Sequence, residues 1–104
     1  MRYLDYVPEE YRAKYAVAGI YGIYIEDKLV YIGKSNYCLR RICEHMMGIA
    51  SKKPDKSNKY RVLDEAMKRG LFIRFDMLDY EDDANLRGYK EGVMIREHAP
   101  ILNY

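Results

Sequence analysis

The sequence predicts an α/β chain of the α+β kind: a small three-stranded antiparallel sheet flanked by helices. Three observations carry this reading. Residues 18–25 set Tyr21, Ile23 and Ile25 against Ile20, Gly22 and Tyr24, the period of two that a strand shows. Residues 71–79 repeat that period, with Leu71, Ile73, Phe75 and Met77 facing one way and Arg74 and Asp76 the other. Between them Leu39, Ile42, Cys43 and Met46 fall at i, i+3, i+4 and i+7, the apolar stripe of a buried helix face. At 104 residues the chain suffices for one core and is too short for two, so residues 1–104 read as a single domain.

Residues 1–17 read as a helical extension ahead of the first strand. Pro8 suits a first helical position and Glu9 and Glu10 favour the positive helix N-terminus. Tyr11 and Tyr15, four apart, are expected to pack this helix on the sheet. After the strand at 18–25, Glu26, Asp27 and Lys28 suit a short hairpin turn, although no Asn-Gly or Asp-Gly sets its type. Residues 29–34 then form the return strand, which brings Tyr21 and Tyr31 near the same end. Ser35 or Asn36 is expected to cap the helix of residues 38–47, and Gly48 to stop it. On that helix Arg40, Arg41, Glu44 and His45 fall away from the apolar stripe. Arg41 and His45, four apart, share one edge.

A basic loop at residues 49–56 leads to a helix capped by Ser57 and running to about residue 69. Tyr60, Leu63 and Met67 form its expected buried stripe, Asp64–Lys68 and Glu65–Arg69 are i,i+4 ion pairs, and Gly70 ends it. After the strand at 71–79, Glu81, Asp82 and Asp83 precede a last helix at 84–97. That acidic trio can chelate a cation, but acids at a helix N-terminus are common for dipole reasons. Leu86, Tyr89 and Val93 are expected to form the apolar face of the last helix. Gly88 and Gly92, each costing about 1 kcal/mol against alanine, flank Glu91. They suggest close approach by another backbone or by substrate, or tight packing on the sheet.

Hydrophobic residues at 49% and charged residues at 33% place the chain among globular proteins rather than disordered ones. No run of eighteen apolar residues is present and the N-terminus lacks the apolar core of a signal peptide. No membrane partner and a cytoplasmic location are the expectation. Cys38 and Cys43 have neither CxxC nor zinc spacing and read as packed, reduced thiols. Net charge is only +2, so composition does not announce a nucleic-acid binder. Distribution says more. Lys34, Arg40, Arg41, Lys52, Lys53, Lys56, Lys59 and Arg61 precede the acidic trio. They can grip a phosphate backbone, or form an ordinary solvated surface.

Gly19-Ile20-Tyr21, nine residues, then Tyr31-Ile32-Gly33 resembles the paired signature of the GIY-YIG nuclease superfamily. Arg41 stands eight residues beyond Gly33, where that family has an arginine. His45 follows four later, where a histidine or tyrosine is common. Glu91 on the late helix and Asn103 after Pro100-Ile101-Leu102 match the family's metal-binding glutamate and terminal asparagine. Gly22-Ile23-Tyr24 repeats the first motif, but only six residues then separate it from Tyr31. Gly19-Ile20-Tyr21 is therefore the motif, and Tyr24 is expected on the opposite face of the strand. The resemblance covers roughly residues 18–103.

What the resemblance implies is a divalent-metal-dependent endonuclease acting on DNA, RNA not being excluded. Glu91 would hold Mg²⁺ or Mn²⁺, a hard cation completing its shell with water and phosphate. Arg41 would stabilise the transition state through its planar donor fork. Tyr21 would be the general base, its phenol brought down from an ordinary pKa near 10, with His45 taking the proton or orienting the ring. Tyr31 would contact phosphate or water, or be structural. Asn103 would anchor the chain end near the site. Gly33 would let chain or DNA approach, and Lys34, Arg40, Lys52, Lys53 and Lys56 complete the expected nucleic-acid surface. With no appended reader in sight, a partner subunit or a homodimer is expected to supply specificity. Two other readings stay open: a catalytically inactive nucleic-acid-binding module of the same fold, and a protein-interaction domain using the tyrosine-rich surface.

Overall fold

The computed structural model describes residues 9–103, apart from the side chain of Tyr11. The expectations for Pro8 and for Tyr11 lie outside the described residues. Helix α1 (Glu9–Tyr15) precedes the sheet, and its end is tied down twice. The Tyr15 hydroxyl donates to the Phe75 carbonyl at 3.1 Å, and Lys14 pairs with Asp76 at 2.8 Å.

Strand β1 (Gly19–Ile25) is the centre of a three-stranded sheet, with β2 (Lys28–Ser35) on one side and β3 (Ile73–Tyr80) on the other, both antiparallel to it. The apolar character of β1 follows from this place, since a central strand covered on both faces has no solvent side. Ile20 and Ile23 are both without exposure. Each such side chain contributes about 1.5–3 kcal/mol when withdrawn from water. Two irregularities adjust the register: Val30 is the extra residue between the pairs Ile23–Tyr31 and Tyr24–Leu29, and Leu78 the extra one between Ile20–Asp79 and Tyr21–Met77. Tyr21 pairs with Gly33 and Ile23 with Tyr31, so the two motif tyrosines are diagonal neighbours.

The β1–β2 turn consists of Glu26 and Asp27 only, Lys28 already pairing with Ile25. Glu26 takes a left-handed φ of 55° although it is not glycine. Its compensation is local. The Glu26 N–H donates to the Phe72 carbonyl at 2.8 Å, and the Glu26 carboxylate accepts from the Phe72 N–H at 2.9 Å.

Helix α2 (Cys38–Ala50) runs past the expected stop at Gly48. The glycine is needed inside the helix, because a Cβ there would stand 2.3 Å from the Tyr60 ring. Neither Ser35 nor Asn36 caps α2. The cap position is Tyr37, Ser35 Oγ accepts from the Tyr37 N–H, and the Asn36 side chain accepts from Arg40. Helix α3 (Asn58–Lys68) carries both expected ion pairs, at 3.3 Å each, and ends before Gly70, whose φ is +82°. Its buried residues are Leu63 and Ala66; Met67 is exposed, one position off the expected stripe. Tyr21, Ile23, Ile42, Ile49 and Leu63 form the core between the sheet and these two helices. Cys38 and Cys43 are buried free thiols, as expected.

Helix α4 (Ala84–His98) packs on β2 and β1. Asp83 caps it, accepting from the Leu86 N–H at 2.8 Å, and Glu81 pairs with Lys90 at 2.8 Å. Two of the acidic trio, Glu81 and Asp83, are thus engaged with the helix, and the described residues contain no cluster of three metal-ligating side chains. The expected apolar face is not the buried one: Leu86 is exposed, and Tyr89 is 68% exposed. Arg87 is buried instead, its guanidinium donating to the Glu81 and Asp82 carbonyls at 3.1 Å each, which a long aliphatic stem with a polar tip allows. Leu71 and Phe72 are exposed ahead of β3 rather than part of it. Among the described residues no helix is long and apolar enough to cross a membrane.

Candidate active site

The site forms where α2, α3 and α4 meet the β2 side of the sheet. Its inner part is a chain of three rings, Tyr21 and His45 buried and Tyr60 partly so. The Tyr21 hydroxyl lies 2.6 Å from His45 Nε2, and the Tyr60 hydroxyl 2.9 Å from His45 Nδ1. His45 has no exposure at all, and Tyr21 is 1% exposed. This corrects the placement of His45 on the solvent side of its helix. Burial lowers its pKa to about 3, and the nearby cations Arg41 and Lys59 push the same way. The imidazole is therefore neutral, with one nitrogen donating and the other accepting.

Tyr21 owes its position to Gly33, its partner across the ladder. A Cβ at Gly33 would lie 2.4 Å from the Tyr21 hydroxyl oxygen. Gly33 is buried, so the expected contact with DNA is not made by it; what approaches closely there is the chain's own tyrosine. The expected lowering of the Tyr21 phenol is also not what the structure shows. Burial pushes it far up, Tyr31 adds to this, and Arg41 pulls only part of the way back.

Tyr31 is half-buried, its ring edge-on to His45 with centroids 5.6 Å apart. Burial raises its pKa, the Arg41 guanidinium lowers it, and the Glu91 carboxylate raises it. Tyr31 thus feels both the arginine of α2 and the glutamate of α4. Arg41 is partly exposed, paired with Glu44 at 3.3 Å. Glu91 is half-buried and forms no ion pair among the described residues; burial raises its pKa and Lys34 lowers it. A Cβ at Gly88 would meet only the Lys34 ammonium, at 3.1 Å, and at Gly92 only Arg96, at 3.5 Å. The two glycines are not sites of tight helix–sheet packing.

Asn103 acts on the sheet edge. Its Oδ1 accepts from the Ile32 N–H at 2.8 Å and its Nδ2 donates to the Ile32 carbonyl at 2.9 Å. Strand β2 is an edge strand, and these two bonds satisfy peptide groups that have no strand partner. One oxygen lone pair and one N–H of the carboxamide are used in this way, so Asn103 anchors the chain end to β2 beside Tyr31.

The expected nucleic-acid surface divides. Lys34 is exposed near Glu91, and Arg40 is exposed and bonded to Asn36 at 3.2 Å. Lys52 and Lys53 line a depression with Lys56, Asp64 and Lys68, apart from the tyrosine–histidine cluster. Lys56 is not available to a phosphate. Its three N–H donors go to the Ile49 carbonyl at 2.9 Å, the Ser51 carbonyl at 2.8 Å and Asp64 at 3.2 Å, closing the end of α2. Two residues of the site escaped the sequence reading. Tyr60 was expected only as core, and Lys59, whose ammonium lies 4.4 Å from the centroid of the Tyr31 ring, only as one of many surface cations. The closeness of Gly48 to Tyr60 carries no local signal, because eleven residues separate them.

A three-stranded antiparallel sheet with this order, flanked by helices, is the GIY-YIG endonuclease-domain fold. Among solved structures, a mutant of bacteriophage T4 EndoII matches with a TM-score of 0.65 at 25% identity, over 85% of this chain and 74% of that one. The GIY-YIG N-terminal endonuclease domain of UvrC from Thermotoga maritima, bound to its catalytic divalent cation magnesium, matches with a TM-score of 0.56 at 17% identity, over 94% of this chain and 100% of that one. A point mutant of the same domain matches equally well at 16% identity. The UvrC likeness is one of fold. No family model and no curated protein matches the sequence.

Proposed function

We propose that this chain is a divalent-metal-dependent endonuclease that hydrolyses phosphodiester bonds of DNA. The observation that carries it is the likeness of fold to GIY-YIG endonuclease domains together with a half-buried Glu91 that forms no ion pair among the described residues. A half-buried carboxylate without a cationic partner within ion-pair distance is an incomplete arrangement, because ionisation there lacks a compensating charge. A single half-buried carboxylate fits a hard divalent ion that keeps water and phosphate as its other ligands. Held by Glu91, Mg²⁺ or Mn²⁺ would supply Lewis acidity and a positive charge that favours the Tyr31 phenolate.

The chain's own residues do the rest. Arg41 presents two parallel donors to phosphate oxygens and keeps its charge throughout, stabilising the added negative charge of the transition state. The roles of the two tyrosines change from those expected. Tyr31 is the more exposed of the two; once its own proton has passed to solvent, with Arg41 and a bound cation favouring the phenolate, it would take the proton of the attacking water. Tyr21 stands behind it, locked to His45, and fixes the ring cluster against which Tyr31 packs. A neutral His45 is suited to this, since its two nitrogens, one donating and one accepting, hold the Tyr21 and Tyr60 hydroxyls in place.

Purified protein incubated with supercoiled, linear, branched and single-stranded DNA, and with RNA, with Mg²⁺, with Mn²⁺ and with chelator, tests the reading. Metal-dependent cleavage of at least one DNA is expected. A folded protein that binds DNA but cleaves none would instead be a binding module of this fold, and one that neither binds nor cleaves would be neither.

A further inference from the structure

Lys59, in the first turn of α3, has no part in the chemistry described so far. Lys14, Lys56, Lys68 and Lys90 each pair with a carboxylate. Lys59 pairs with none among the described residues. Its ammonium instead lies 4.4 Å from the centroid of the Tyr31 ring and 5.0 Å from that of Tyr60. It is only half-exposed, and burial and then the Arg41 guanidinium both disfavour its charge. Two cations from different helices therefore face the same tyrosine, and the ring between them and the core, His45, is neutral. Contact with aromatic faces attracts an ammonium only modestly and does not offset a like charge nearby and the loss of water. The balance changes when an anion enters. An ammonium on a flexible stem can then meet a phosphate oxygen as a point charge while the guanidinium holds two others.

We propose that Lys59 is a phosphate-binding residue of this site, gripping the nucleic-acid backbone together with Arg41 across Tyr31. The identity of the ligand rests on the nuclease reading; its charge does not. Lys59 is absent from the paired motif because it comes from α3, on the far side of a loop in the sequence.

Two measurements in chelator test this. First, inorganic phosphate is titrated into the folded protein while side-chain resonances of Lys59 are followed by NMR. Saturable shifts at Lys59, weakened several-fold by Arg41→Lys, are expected. Second, binding of a short DNA duplex is measured against salt for the wild type, Lys59→Gln, Lys59→Arg and Lys28→Gln, the last an exposed lysine of the hairpin. Lys59→Gln should flatten the slope of log affinity against log salt by about 0.9, the loss of one phosphate contact. Affinity should fall roughly five- to ten-fold at moderate salt, with Lys59→Arg and Lys28→Gln near the wild type. If the wild type binds DNA and Lys59→Gln keeps its slope and affinity, the inference is overturned and the nuclease reading stands. Phosphate shifts at Lys59 in a protein that binds no nucleic acid would uphold the anion site and sink the nuclease reading. With neither ligand bound, both fall.

Discussion

Gly33 stands opposite Tyr21 in the β1–β2 ladder, and the Tyr21 ring fills the space a side chain at position 33 would take. The glycine of the second motif thus serves the tyrosine of the first. A Cβ there would lie 2.4 Å from the hydroxyl oxygen and 2.5 Å from Cζ. Gly33→Ala must move a ring that is 1% exposed and bonded to His45. The expected loss is about 1–3 kcal/mol of stability, from overpacking and a weakened hydrogen bond. Urea unfolding measures it, and a wild-type midpoint would contradict the packing described.

His45 makes stability depend on pH in a definite direction. Its pKa is near 6.5 in an unfolded chain and about 3 in the folded one, so between these values the unfolded state binds the extra proton. Stability from this group is complete above pH 6.5 and is lost as pH falls toward 3, by up to about 1.4 kcal/mol per unit. His45→Gln should be less stable than the wild type at pH 7, and the gap should narrow by pH 4.5. Denaturation of both at the two values isolates the effect from the carboxylates they share. A gap that widens on acidification would show that His45 is charged in the fold.

Asn103 can be dissected by charge and shape. Asn103→Ala removes both bonds to Ile32, and each typically contributes about 0.5–1.5 kcal/mol. Asn103→Asp keeps an acceptor for the Ile32 N–H but sets an anion against its carbonyl. Melting temperatures should rank wild type above Asn103→Asp, with Asn103→Ala also below wild type. Because Ile32 lies between Tyr31 and Gly33, amide exchange at Ile32 should accelerate in both variants. Unchanged exchange in Asn103→Ala would remove the anchoring role.

Cleavage and binding should separate in the outer site. Glu91→Gln should abolish metal-dependent cleavage while metal-free DNA binding persists or improves, since a negative charge near phosphate is gone. Arg41→Ala should lower cleavage by about 10²-fold or more and weaken binding too. Tyr31→Phe should lose about 10²–10⁴-fold in rate, the usual range for a general base, and more than Tyr21→Phe. Rates, metal-free affinities and melting curves for the four variants decide this. Normal cleavage by Glu91→Gln would sink the metal assignment, and a larger loss in Tyr21→Phe than in Tyr31→Phe would restore Tyr21 as the base.

By itself the sequence determined the sheet and its helices, because strand period, helix stripe and turn residues are local properties of the chain. The paired motif at 19–21 and 31–33 was legible for the same reason, and Arg41 and Glu91 were singled out only through the resemblance it carries. Tertiary structure decided what those residues face. His45, polar and off the apolar stripe, became the most enclosed ring because Tyr21 and Tyr60 satisfy both its nitrogens. Gly48 stayed inside α2, Lys56 was drawn to three oxygens, and Arg87 took the buried place meant for Leu86. For His45 and Gly48 the partner comes from another element, and for Lys56 and Arg87 from a nearby turn whose path only the fold fixes. Burial of a polar group is set by whether such a partner arrives, and only the folded chain brings it.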